Sequence, residues 1–392
     1  MRTHQYTLTA QDIRAHAAGL CQRWLRLRDH GPKCTAVTLL AVLFYAAARI
    51  TSLAAACKAL VHAPGYQATH DALLATLPDV HELQRRLNRA LQGDLPEALR
   101  RSRQPIAIDL HLVPYHGAPL RDADEVYRGQ AKSGTSHFQA YATAYVIRKG
   151  RRYTVALAYV RKGQPLAEVV QELLRQAAKA GVRPRYLLLD RGFWSVAVLR
   201  YLQRARHAFL MAVPCKGRKA DHPDGPGGTR VFHLRRRSGW GRYTLTDARK
   251  RRATVSICVK CRNRRGERGK HGREALVYAY GGGLQPSSYQ WVKEAYRSRF
   301  AIETTYRQLG QARIRTSTRD PLLRLLYVGV ALILRNVWVW LHWEVLAHAR
   351  RGGRLLDLAQ LTFRGMLLWL QHLAEAILGV CDQLHTERPV RT

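Results

Sequence analysis

The rhythm of hydrophobic and polar positions changes twice along the chain. Residues 1 to about 100 follow a helical rhythm. Thr51 and Ser52 stand where a cap would, ahead of Leu53, Ala56 and Leu60. His62-Ala-Pro-Gly65 then breaks the pattern, and a second short helix is predicted from Gln67 to Leu77, stopped by Pro78. Two short helices around a Pro-Gly turn fit a helix-turn-helix, and they fit an ordinary helical bundle with a tight turn equally well.

From Arg103 the pattern becomes strand-like. Pro105 to Val113 is a β-rich run, followed by a loop from Pro114 to Pro119. Phe138 to Ile147 and Tyr153 to Val160 read as two strands joined by the basic turn 148–152. Leu166 to Ala180 places Val169, Val170, Leu173, Leu174 and Ala177 on one helical face, with Gly181 as the stop. A buried strand from Arg185 to Leu189 ends on Asp190. A helix (Ser195 to Arg206) and a strand (Ala208 to Val213) complete an order of three strands, helix, strand, helix, strand.

Beyond Pro214 the periodicity weakens. The segment 214–286 is rich in glycine and in basic runs (Arg235 to Arg237, Arg249 to Arg252, Arg262 to Lys270), with strand-like pieces at Ala253 to Val259 and Ala275 to Tyr280. It reads as an inserted, mostly β subdomain. One helix is predicted from Ser288 through Tyr296, Arg299 and Glu303. The predicted organisation is a helical DNA-binding region at 1–100, an α/β catalytic region at 101–345 interrupted by the insertion 214–286, and a helical segment at 346–392.

Composition narrows the function. The chain has 392 residues, 47% of them hydrophobic, which is enough for a real core. Its formal net charge of +38 asks for a polyanion, and DNA is the first candidate because Lys and Arg release its condensed counterions. Seven scattered cysteines do not form a disulfide framework, and the N-terminus lacks a signal-peptide core, so a reducing compartment, the cytoplasm, is expected. The apolar stretch from Leu322 to Ala347 is interrupted by Arg324, Arg335 and Asn336. A charge at the centre of a spanning helix costs about 2.5–3.5 kcal/mol, so a buried helix of a folded core is expected and a membrane is not.

Acids are few, and two of them sit in apolar strands: Asp109 within Ile106 to Leu110, and Asp190 at the end of Leu187 to Leu189. A buried carboxylate is costly unless paired. Each Asp alone would pass as a strand-end cap or an arginine partner, but two on central strands of one sheet could share a divalent cation. Tyr296, Arg299, Glu303 and Tyr306 or Arg307 follow steps of three and four, which would line one helix face. A solvated face with an Arg299–Glu303 pair has the same spacing.

Tyr296, two residues, Arg299, three residues, Glu303 resembles the Tyr-Arg-Glu-Lys motif of prokaryotic insertion-sequence transposases of the Asp-Asp-Glu superfamily. The segment Leu187 to Phe193 resembles the second-Asp region of that group, and the Asp109 strand its first-Asp region. The resemblance covers roughly residues 100 to 345. It implies a ribonuclease H-like mixed sheet whose first and fourth strands carry the two Asp, a Glu on a later helix, and a β-rich insertion between the second Asp and the Glu. It further implies Asp109, Asp190 and Glu303 as catalytic ligands of Mg2+, with Mn2+ able to substitute. Double-stranded DNA, as terminal inverted repeats and as target, would be the partner. A homodimer would hold two DNA ends in a synaptic complex, and the bound protein would be nucleoid-associated.

Tyr296, Arg299 and Arg191 are expected to contact the DNA backbone. Trp240 is a candidate platform for a flipped base, or else an ordinary Trp of the insertion. The motif's Lys would fall at Gly310, so Arg307 or Arg313 is expected to take its phosphate contact. Two other readings stay open: a catalytically silent DNA-binding relative, and a ribonuclease H-like nuclease without strand transfer. Cys258-Val-Lys-Cys261 has zinc-like spacing but no second close pair, so alternation on a strand explains it better. No Gly-rich loop followed by Lys-Ser/Thr appears, so ATP is not implied.

Overall fold

A computed structural model of the chain describes the backbone of residues 7–148, 152–265, 271–350 and 353–383; the side chains of a few of these, Glu303 among them, lie outside the described set. The chain divides into two compact units. One comprises Met1–Leu95, His116–Glu125 and Tyr306–Thr392, and the other Pro96–Tyr115 and Val126–Thr305.

The first unit is mostly helical, but within the expected helical segment 346–392 the residues His348–Arg350 and Gly353–Leu355 pair as two short antiparallel strands. It opens with α1 (Ala10–Leu25), α2 (Ala36–Arg49), α3 (Leu53–Ala59), α4 (Tyr66–Thr76) and α5 (Val80–Gln92). Short polar side chains start all of these but α4 by satisfying free amides. The Thr9 amide and the Asp12 carboxylate form one arm of a capping box (2.9 Å), Ser52 accepts from the Ala55 amide (3.1 Å), and Asp79 accepts from His81 and Glu82 (2.8 and 3.0 Å). The break expected at His62 to Gly65 separates α3 from α4. The exposed positions of α4 include Gln67, Ala68, Asp71 and Ala75, and the helix contains no Lys or Arg.

The second unit opens with α6 (Glu97–Arg101) and is built on a nine-stranded sheet. Its strands are β1 (Gln104–Pro114), β2 (Tyr127–Lys132), β3 (Thr135–Val146), β4 (Thr154–Val160), β5 (Pro184–Leu189), β6 (Phe209–Ala212), β7 (Gly239–Thr246), β8 (Arg252–Arg265) and β9 (His271–Gly281). The order is β2-β3-β1-β5-β6-β9-β8-β7, with β4 also on β3. β1, β5 and β6 run parallel, and the other pairings are antiparallel. The crossover from β4 to β5 is α7 (Leu166–Lys179), whose apolar face covers β3 and β4, and β5 reaches β6 through α8 (Val196–Arg204). This is the mixed α/β sheet of the ribonuclease H-like arrangement, carrying a β-rich insertion and preceded by helices.

Two strands of this sheet escape sequence reading. β2 (Tyr-Arg-Gly-Gln-Ala-Lys) is mostly exposed, and β7 alternates half-buried with exposed positions around two glycines. Because β2 precedes β3 in the chain, Asp190 follows the fifth strand and not the fourth. The insertion, which also holds the short α9 (Arg230–His233), is no separate sheet: β9 pairs with β6 from Phe209–Gly281 to Ala212–Tyr278, so its strands extend the core sheet. Cys258 and Cys261 both lie on β8. The Cys258 thiol is fully buried and burial pushes it up to about 12, while the Cys261 sulfur faces the Arg235 carbonyl.

The helix expected from Ser288 is in fact two, α10 (Tyr289–Arg297) and α11 (Phe300–Leu309). The Ser298 hydroxyl bonds back to the Ala295 carbonyl, and the Arg299 amide reaches Tyr296 at 3.0 Å in a three-residue step. Such side-chain competition weakens a helical ladder. Tyr296 therefore lies in the last turn of one helix and Arg299 occupies the turn that follows it.

The chain returns to the helical unit with α12 (Pro321–Trp340) and α13 (Phe363–Leu378). Pro321 to Val345 is long and apolar enough to cross a membrane by length and composition, yet 94% of its apolar window is buried inside the protein. Its polar interruptions are satisfied there. Arg324 donates to the Thr318 carbonyl (2.6 Å), Arg335 to Gln308 (2.8 Å) and Asn336 to the Leu91 carbonyl (3.2 Å). Gly329 lets α12 lie against α5, since a Cβ there would come within 2.2 Å of Leu87.

Candidate active site

The parallel ladder between β1 and β5 creates the site. Ile108 and Leu189 are register partners, and the next residue on each chain is an aspartate. Neighbouring strands lie about 4.8 Å apart, so Asp190, just past the end of β5, stands beside Asp109 in the middle of β1. Brief apolar runs bury both strands up to that point: Ile106, Ala107, Ile108 and Leu187 to Leu189 are all fully buried. After Leu189 the chain turns through a 3-10 segment, Arg191–Phe193, anchored by buried Phe193. Asp190 precedes that turn but does not cap it with its side chain, which leaves the carboxylate free for other work.

A single guanidinium reaches both acids. Arg299 Nη1 lies 3.4 Å from Asp109 Oδ2, and Nη2 lies 3.8 Å from Asp190 Oδ1. The second distance is an ion pair and too long for a hydrogen bond. The Arg299 side chain is 6% exposed, Asp109 14% and Asp190 37%, so the cluster runs from a buried base to an open mouth. Asp109 Oδ1 accepts from the Leu110 amide at 2.9 Å. Two like charges side by side are unfavourable unless a cation sits between them, and Arg299 supplies it.

Tyr296 backs this cluster. Its hydroxyl donates to the Leu189 carbonyl at 3.3 Å, its ring lies against Tyr278 (5.0 Å between centroids), and the Arg299 guanidinium is 5.5 Å from its centre. Burial pushes the Tyr296 phenol far above its ordinary value, so it stays neutral. Phe300, which the sequence did not single out, places its half-exposed ring 5.4 Å from the same guanidinium. No spacing rule would have found it.

The remaining candidates separate. Glu303 lies on α11, and its side chain is outside the described residues. The DNA contact expected of Tyr296 and Arg299 calls for an accessible face, and both are buried, at 6% and 5%. Arg191 is exposed on the turn after Asp190. Trp240 is exposed on β7, stacked on Tyr289 (4.6 Å, 29°) with Tyr280 edge-on at 5.7 Å. Arg307 and Arg313 are exposed and belong to the helical unit, as does Gly310, around which a Cβ would meet nothing within 4 Å.

The donor chemistry fits a hard divalent cation. Two carboxylates already converge on one positive group, and carboxylate oxygens are what Mg2+ takes. Among the described residues no group of three His, Cys, Asp or Glu side chains gathers. A third ligand from Glu303 would complete the set.

Comparison with known proteins adds to this geometry. No curated protein sequence matches the chain. One similar solved structure is the cryo-EM structure of a piggyBac transposase synaptic complex with hairpin DNA, at a TM-score of 0.54 and 12% identity, covering 96% of this chain and 82% of that one. At that identity the likeness is one of fold. A family model described as the transposase DDE domain matches residues 100–336, which include Asp109, Asp190 and Glu303. With more than half of its length so matched, and with two of those acids brought side by side on adjacent strands, the chain belongs to the DDE transposase family.

Proposed function

We propose that this protein is an active DNA transposase, cleaving at the ends of a mobile element and joining the freed 3′-OH to target DNA by cut-and-paste transposition. The observation that carries the reading is the convergence of Asp109 and Asp190, from neighbouring strands, on one buried cation. Asp109, Asp190 and Glu303 would hold Mg2+, or Mn2+ in its place. When bound, the metal supplies an activated water and neutralises charge on the oxygens being exchanged.

The chain's own residues do the rest. The β1–β5 register fixes the spacing of the two carboxylates, and Tyr296 ties the Leu189 carbonyl to α10 so that Asp190 cannot drift. Tyr296, neutral and buried, is a positioning group and no nucleophile. Arg191, Arg307 and Arg313 are exposed guanidiniums suited to phosphate. Trp240, with one face on Tyr289, offers an aromatic surface to an extruded base. The net charge of +38 supports binding of double-stranded DNA, at element ends and at target. A homodimer on DNA and a cytoplasmic, nucleoid-associated location complete the proposal.

The test is metal-dependent cleavage and strand transfer on DNA carrying the terminal inverted repeats that flank the gene. Asp109→Asn, Asp190→Asn and Glu303→Gln should each remove both activities while leaving DNA retention in a gel-shift assay. Cleavage retained by any one of them removes that residue from the catalytic set. Cleavage without joining would instead support a nuclease.

A further inference from the structure

The placement of Arg299 has a consequence for how the site takes up metal, one that rests on the reading of Asp109 and Asp190 as metal ligands. Asp109 turns one oxygen to the Leu110 amide and the other to Arg299, and Asp190 turns an oxygen to the same guanidinium. A divalent ion bridging Asp109 Oδ2 and Asp190 Oδ1 would meet the same oxygens that Arg299 faces. It would also stand against a buried positive charge at contact distance, where repulsion is poorly screened. Cation and guanidinium therefore compete for one place.

We infer that Arg299 is an internal stand-in for the metal: it holds Asp109 and Asp190 together in the metal-free protein and leaves when a divalent cation enters. Both requirements of such a device are met. The holding state is built, because the guanidinium is buried and bridges two acids that would otherwise repel each other. The exit is built as well. Arg299 sits in the turn between α10 and α11, outside either helix, and its guanidinium already lies 5.4 Å from the centre of the Phe300 ring, which is 48% exposed. A swing toward that ring keeps a cation–π contact while carrying the charge to solvent. The displaced group would then face the open mouth of the site, where a DNA phosphate would arrive.

The experiment is Mn2+ binding, read from the free-ion electron paramagnetic resonance signal, with no DNA and no turnover. Wild type, Arg299→Gln and Arg299→Lys are titrated, each with and without Asp109→Asn. Removing the competitor should tighten Asp109-dependent Mn2+ binding about tenfold in Arg299→Gln, or ~1.4 kcal/mol. Arg299→Lys, which keeps the charge but replaces the planar fork with a compact ammonium, should gain a smaller factor. Melting curves of the metal-free forms should fall in the order wild type, Lys, Gln, with Mn2+ restoring most to Gln. If Arg299→Gln does not fold, the Lys variant decides alone. Asp109-dependent binding that is unchanged or weaker in these variants overturns the stand-in role and leaves the metal site itself intact. Absence of Asp109-dependent binding in every form overturns the metal reading, and this inference with it.

Discussion

The Tyr296 hydroxyl donates to the carbonyl of Leu189, 107 positions earlier in the chain and one residue before Asp190. That bond fastens the last turn of α10 to the end of β5. It makes the position of one carboxylate depend on a helix that sequence distance would never associate with it.

Tyr296→Phe removes the bond and keeps the ring against Tyr278. The expected cost is about 1 kcal/mol in stability, the usual net worth of one hydrogen bond. Cleavage should fall several-fold with DNA binding unchanged, because Asp190 gains freedom. Since burial keeps the phenol neutral, no covalent protein–DNA adduct should be trapped in either protein. Denaturant melts, a cleavage time course and denaturing gels check the three parts.

Gly310→Lys should be tolerated and beneficial. A Cβ there meets open space, and the residue lies in the short 3-10 turn Gly310–Ala312. Replacing glycine in helical backbone recovers up to ~1 kcal/mol. The added ammonium supplies the basic group that the motif places there, so DNA affinity should rise and its salt slope steepen by about one unit. Unchanged salt dependence would show that the introduced side chain reaches no phosphate.

Trp240→Ala should separate two kinds of DNA. Loss of the stack on Tyr289 should cost about 1 kcal/mol of stability. Stacking of a free base is worth about 1–3 kcal/mol, so affinity for ends carrying an unpaired terminal base should drop roughly tenfold. Affinity for fully paired ends should barely move, and Trp240→Phe should restore most of the difference. Fluorescence anisotropy with the two labelled duplexes measures it.

Stability should decline on mild acidification. Burial lowers the proton affinity of His342, whose Nε2 lies 2.7 Å from the Leu361 carbonyl, and burial acts the same way on His207 and His233. For these groups the unfolded chain takes protons more readily than the folded one. Their contribution is therefore complete above the ordinary histidine value of 6.5 and is lost as pH falls below it. Melting temperature should drop between about pH 7.5 and about pH 5, and His342→Gln should flatten that slope.

Much of this architecture was legible in the sequence because it is written in local periodicity. The apolar run around Asp109, the run ending on Asp190 and the stripe of α7 each declare their element within about ten residues. β2 and β7 were not legible, since glycines and charged residues interrupt their few apolar positions and their strand state comes from pairing with β3 and β8. The helical spacing of Tyr296, Arg299 and Glu303 misled for a related reason. The count was right, but a serine back-bond ends the helix between the first two. The bridge from Arg299 to Asp109 spans 190 positions and depends on a parallel register, and no short-range rule encodes either. Sequence alone therefore singled out Asp109, Asp190 and Arg299 without showing that the arginine bridges the two acids.

The β6–β9 ladder sets a limit on how this protein can be trimmed or reshaped. Residues 214–286 look removable on paper, a glycine-rich basic excursion between two catalytic elements. Cutting them out would strip β6 of its outer neighbour and leave Phe209 to Ala212 as a bare hydrophobic edge, an invitation to pair with other chains. The same ladder makes the insertion part of one stiff plate with the strands that bear Asp109 and Asp190. Trp240 thus rides on the same framework as the carboxylates, and a change of twist on one side is felt on the other.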